Sequence, residues 1–182
     1  EQDLRLLTLT GPPGTGKTRL GLHVAEAIAD EFADGVYFVA LDSVTDADLV
    51  PGAIARVFGL QESGTIPIGR SLNGYIEDRK LLIVLDNFEQ VVAAAAYVSD
   101  LLAACGRIKI LVTSRETLHL QGEHKYDVPP MSVPELSPNE FHKADLSAFV
   151  KRYEAVRLFA ERSVSIQPNF EITSENAPVV MD

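Results

Sequence analysis

Apolar residues fall into two patterns along this chain: short unbroken runs, and longer stretches with helical spacing. The runs at 4–10, 36–41, 81–85 and 108–113 read as strands buried on both faces, since a half-exposed strand would alternate. A weaker fifth strand is expected over 124–128, stopped by Pro129-Pro130. Between the runs the spacing turns helical. Leu20, Val24 and Ile28 recur four apart after Lys17, and Ile54, Val57 and Phe58 share one side of a helix expected over 46–60. Pro51-Gly52 weakens the start of that helix. Leu72, Tyr75 and Ile76 predict a short helix, and the alanine-rich stretch 91–105 a longer one closed by Gly106. Residues 61–70, with Gly64, Pro67 and Gly69, read as a loop. Alternating strand and helix signals give an α/β fold, a parallel sheet with helices on both faces.

The pattern changes after Met131. Pro134, Pro138 and Asn139 mark a connecting segment, and Tyr153, Val156 and Phe159 are spaced for a helix. Thr173-Ser174-Glu175-Asn176 reads as a further helix start. Two domains are expected: 1–131, and 132–182 as a linker with the start of a helical region. The chain opens on Glu1 without a methionine, and the expectation is a piece excised from a longer protein.

Chemistry enters at the end of the first strand. Gly11-Pro12-Pro13-Gly14-Thr15-Gly16-Lys17-Thr18 is G-x-x-x-x-G-K-T, and it joins a buried strand to a helix as a phosphate-binding loop requires. Glycines at 11, 14 and 16 allow the chain to curl and a ligand to approach the backbone closely. The curl turns successive N–H groups toward an anion at the positive end of the next helix. The expected cradle is Gly11, Pro13, Gly14, Thr15, Gly16, Lys17, Thr18 and Arg19. Lys17 supplies a counter-charge for the outer phosphates, and the Thr18 hydroxyl suits Mg²⁺.

Three further positions belong with this loop. Asp86 ends the most apolar strand, where a carboxylate reaches the Mg²⁺ shell; the competing reading is an Asp that starts a turn. Asn87 follows it, where many P-loop ATPases carry a water-activating Glu, and an amide cannot accept a proton. Glu89 is the nearest carboxylate, either a catalytic base or an acid favouring a helix N-terminus. Arg115 follows the fourth strand and can sense the outermost phosphate with its fork of donors, or pair with Glu116 or a nearby acid. Hydrolysis is therefore expected to be slow, if it occurs.

Composition narrows the alternatives. At 46% hydrophobic and 23% charged, 182 residues can bury a core. A net charge of −10 argues against direct nucleic-acid binding by this segment, although not by other domains of its parent. The single cysteine, Cys105, reads as a small core residue, and the absence of a pair fits a reducing cytoplasm. No apolar stretch reaches membrane-spanning length. His23, His119, His124 and His142 share no ligand spacing for zinc. Asp42 is placed in a turn rather than on a ribose. No N-K-x-D segment reads guanine, which tilts the base to adenine.

The segments 6–20 (LLTLTGPPGTGKTRL), 81–91 (LLIVLDNFEQV) and 110–120 (ILVTSRETLHL) resemble the nucleotide-binding domain of STAND-class ATPases. They are most similar to the NB-ARC-like domains of bacterial LuxR- and AfsR-type regulators. The resemblance implies a three-layer P-loop NTPase fold with a five-stranded parallel sheet, order 5-1-4-3-2. It also implies ATP or ADP bound with Mg²⁺ as a switch, in which ADP holds a closed monomer and ATP favours self-association. By position, Lys17 and Thr18 would take phosphate and Mg²⁺, Asp86 would be the Mg²⁺ acid and Arg115 the phosphate sensor. Asn87 departs from the family's second acid, and the G-L-P-L-bearing and winged-helix regions are not in this chain. The expectation is a switch domain of a cytoplasmic regulator with weak ATPase activity at most. A turnover AAA-type ATPase or a small-molecule kinase is the alternative.

Overall fold

A computed structural model of the protein describes residues 4–62, 66–133, 152–173 and 175–180. The chain divides into two compact units, Glu1–Pro129 and Pro130–Asp182. The first holds a five-stranded parallel sheet: β1 (Leu6–Thr10), β2 (Val36–Ala40), β3 (Leu82–Asp86), β4 (Lys109–Thr113) and β5 (Glu123–Asp127). Its order, β2-β3-β4-β1-β5, is the expected one read from the other edge. The helices are α1 (Lys17–Ala27), α2 (Val50–Val57), α3 (Ile68–Ile76) and α4 (Ala95–Ala104).

Side-chain alternation along the strands separates two cores. Ile83 and Leu85 of β3, with Ile110 and Val112 of β4, join Ile54, Leu72, Ile76, Val98 and Leu101 from α2, α3 and α4. Leu82, Val84 and Leu111 point the other way and meet Ala25 of α1 and Phe32. Every residue of β3 is buried, because helices cover both faces of the sheet there. The edge strand β5 is mostly exposed.

Several boundaries differ from the sequence reading, each for a local reason. The 46–60 helix is divided: Asp46 accepts a hydrogen bond from the Asp48 amide to cap a short 3₁₀ turn, and α2 starts at Val50. Pro51 then lies in the first helical turn, where its missing N–H costs no hydrogen bond, so it does not weaken the helix. Part of the expected loop 61–70 is helical, since Pro67 is the N-cap of α3 and Ile68, Gly69 and Arg70 form its first turn. The alanine-rich helix begins at Ala95 rather than 91, after a 3₁₀ turn over Val92–Ala94.

Cys105 is fully buried and joins the larger core. Burial raises its thiol pKa, as does the charge of Glu77, while Arg5 acts in the opposite sense. The Arg5 guanidinium donates to the carbonyls of Leu102, Cys105 and Ile108, satisfying acceptors at the end of α4 and beyond.

In the second unit, α5 (Glu154–Ile166) buries Val156, and Phe159 packs edge-on against Phe170. Ser132 and the Glu154 amide and carboxylate bond reciprocally at its start. Asn176 is bonded to Thr173 ahead of α6 (Ala177–Val180). Gly64, Pro134, Pro138, Asn139, His142 and Ser174 lie outside the described residues. Among the described residues no helix is long and apolar enough to cross a membrane.

Candidate functional site

The carboxyl ends of β1, β3 and β4 and the start of α1 bound a cleft of about 310 Å³. Pro13, Gly14, Gly16, Lys17, Thr18, Asn87, Glu89, Thr113 and Arg115 line it. Ligands of open parallel sheets bind at this end of the strands. A second cleft, of about 400 Å³, adjoins the start of the glycine loop and shares Arg115 with the first.

The glycines are needed for different reasons. Gly11 has φ +141°, and a Cβ there would stand 2.8 Å from the Val128 carbonyl oxygen, so β1 can leave beside β5 only without a side chain. Gly14 and Gly16 have φ +82° and +84°, a left-handed conformation that favours glycine. A Cβ on either would meet no atom within 4 Å, so open space lies beside the loop backbone. Thr15 Oγ1 donates to the Pro12 carbonyl at 3.0 Å and ties the loop across itself.

Gly16 is the N-cap of α1 and offers no side chain to its free amides, and the first turn carries no acid. Those amides and the positive helix end are left for an anion. Lys17 is only 9% exposed; its ammonium donates to the Gly11 and Pro12 carbonyls, 2.8 Å each. This donor set suits a polyphosphate: uncapped amides, a desolvated ammonium and no competing carboxylate on the turn. Arg19 lies on the outer side of this turn, exposed and away from the cleft lining.

Asp86, the last residue of β3, is 7% exposed. β4 lies between β1 and β3, so Asp86 is not beside the first strand. Thr18 Oγ1 nevertheless donates to Asp86 Oδ1 at 2.7 Å, and Thr113 Oγ1 donates to the same oxygen at 2.6 Å. Thr113 in turn accepts from the Asn87 amide at 3.1 Å. The sequence reading passed over Thr113. Its signal is a hydroxyl directly after the apolar run Ile110–Val112, on the strand next to that of Asp86.

Asn87 takes a left-handed conformation, φ +61°. That kink reverses the chain into a 3₁₀ turn, Phe88–Gln90, with Phe88 fully buried as its anchor. Glu89 therefore stands on an isolated turn rather than at the start of α4, and its side chain enters the cleft. Arg115 Nε donates to Glu89 Oε1 at 3.2 Å. Of the two acids near Arg115, Glu89 is the one it pairs with.

Known proteins similar to this chain bear on its family and fold. A family model for the AAA domain matches residues 2–120. A Mycobacterium tuberculosis protein named as an HTH-type transcriptional regulator is 39% identical over 177 residues, 97% of this chain and 18% of the regulator. The regulatory protein AfsR of Streptomyces griseus is 30% identical over 167 residues, 87% of this chain and 16% of AfsR. The chain thus spans under a fifth of the length of these regulators. Among solved structures, the Aeropyrum pernix ORC2 protein, described as ADPNP–ADP complexes, aligns with a TM-score of 0.50 at 19% identity. That match covers 81% of this chain and 45% of ORC2 and speaks for the fold alone. With its glycine loop, parallel sheet order and matched span together, this chain belongs to the AAA domain family of P-loop nucleotide-binding proteins.

Proposed function

We propose that this domain binds ATP and ADP with Mg²⁺ and serves as a nucleotide-dependent switch within a larger regulator, hydrolysing ATP slowly at most. The observation that carries this reading is the Thr18–Asp86–Thr113 hydrogen-bonded cluster beside an uncapped glycine loop. In it, the loop amides and Lys17 hold the phosphates, Thr18 and Asp86 face the metal, and Arg115 answers the terminal phosphate. Mg²⁺ supplies the positive charge that offsets the phosphate oxygens. Adenine is the base favoured by the absence of a guanine-reading segment.

Slow hydrolysis follows from the side chains near the cleft. The Asn87 side-chain amide cannot take a proton from water. Glu89 is the nearest carboxylate, but it stands beyond the water-activating position, on a separate 3₁₀ turn. The regulator-type relatives support a signalling role, with DNA contacted through parts of the parent outside this chain and self-association following nucleotide state. The presence of Glu89 in the cleft is what favours the rival reading, a turnover ATPase. Single-turnover and steady-state assays with Mg-ATP separate the two. A switch gives turnover far below about 10 per second, and rates at that ordinary enzyme level establish the rival.

A further inference from the structure

Glu89 and Arg115 are unequal partners. The Glu89 side chain is 14% exposed and fixed by the buried Phe88 anchor, whereas the Arg115 side chain is 58% exposed and borders both clefts. Their contact is long for a charge-assisted bond and runs through Nε alone among the described residues. Glu89 Oε2 is buried without a hydrogen-bond partner among the described residues. A two-pronged guanidinium–carboxylate pair would satisfy both oxygens; this one satisfies a single oxygen. An arginine held so lightly is easily captured by a stronger acceptor in the same cleft.

We propose that Glu89 is a specificity-determining residue: it is the resting counter-ion of Arg115 and sets the preference between ADP and ATP. Resting on the nucleotide-binding reading above, the inference assigns Glu89 a role in place of the catalytic base. A diphosphate leaves Arg115 on Glu89. A terminal phosphate offers several charged oxygens to the same fork and must displace the carboxylate to receive it. Part of the gain from the third phosphate is therefore spent on breaking the resident pair, which narrows the difference between the two nucleotides.

Calorimetric titration of ADP and ATP, each with Mg²⁺, into the full chain tests this through the ratio of the two dissociation constants. Glu89→Gln keeps the shape and removes the charge, and should shift the ratio toward ATP by about five- to tenfold. Glu89→Asp keeps the charge but shortens the reach, and should shift it in the same direction. In an Arg115→Gln background, Glu89→Gln should leave the ratio within about twofold. A shift that persists without Arg115 would mean direct repulsion of the phosphate and overturns the proposal. So does an unchanged or reversed ratio in the single variants. If the wild-type chain binds neither nucleotide, the nucleotide-binding reading falls first and this inference with it.

Discussion

Thr113 Oγ1 donates to Asp86 Oδ1 at 2.6 Å while accepting the Asn87 amide at 3.1 Å, so one hydroxyl on β4 joins two consecutive residues at the end of β3. It orients the carboxylate that Thr18 also touches and anchors the kink that turns Glu89 into the cleft. An apolar substitute of the same shape would leave the half-buried Asn87 amide without its acceptor and Asp86 Oδ1 with Thr18 alone.

Thr113→Val should therefore destabilise the fold by about 1–3 kcal/mol in urea unfolding. It should also reduce the Mg²⁺-dependent part of ATP affinity more than the Mg²⁺-independent part. Asp86→Ala should remove the Mg²⁺ dependence altogether. A wild-type protein whose ATP affinity ignores Mg²⁺ contradicts both assignments.

Glu123, at the start of β5, holds together the segment that follows Arg115. Its carboxylate accepts from Thr8 Oγ1 at 2.6 Å, the Leu118 amide at 2.9 Å and the Leu120 amide at 3.2 Å. Burial pushes its pKa up, but the Thr8 hydroxyl and the backbone amides at 118 to 120 outweigh that, and the net shift is downward. Because the folded form holds the charged carboxylate better, its contribution is fully present above the ordinary glutamate pKa and is lost as pH falls below that value through the lowered folded one. Glu123→Gln should lower stability at neutral pH by about 1–2 kcal/mol and flatten the acid limb of the stability curve. Parallel curves for wild type and variant would remove Glu123 from this role.

Gly11→Ala tests the close approach of the first strand to the fifth. A methyl group there would stand 2.8 Å from a backbone oxygen at a φ of +141°. The expected cost is about 3 kcal/mol or more, with nucleotide binding weakened in the protein that remains folded. An alanine variant with unaltered melting and affinity would show that the strand can move aside without consequence.

Much of this was legible in the sequence, and the exceptions share a cause. Unbroken apolar runs such as 81–85 located the central strands because burial on both faces leaves no room for polar alternation. The glycine loop declared itself because φ near +80° and the contact at Gly11 restrict residue choice. What pattern could not supply was through-space neighbourhood. Thr113 lies 27 residues from Asp86, and Arg115 lies 26 from Glu89, and only the strand order brings each pair together. Helix starts differ from expectation at prolines, since Pro67 caps α3 and Pro51 sits within the first turn of α2. Sequence leaves Glu89 either a base or a helix-start acid, because nothing in the local pattern announces a left-handed Asn87.

Titration calorimetry of the wild-type chain and its Lys17→Ala variant with Mg-ATP addresses the phosphate cradle most directly. Saturable one-to-one binding by the wild type is expected, with affinity falling about a hundredfold or more in the variant while its melting curve stays cooperative. Equal affinity in the two proteins, or no heat from the wild type, would contradict the account.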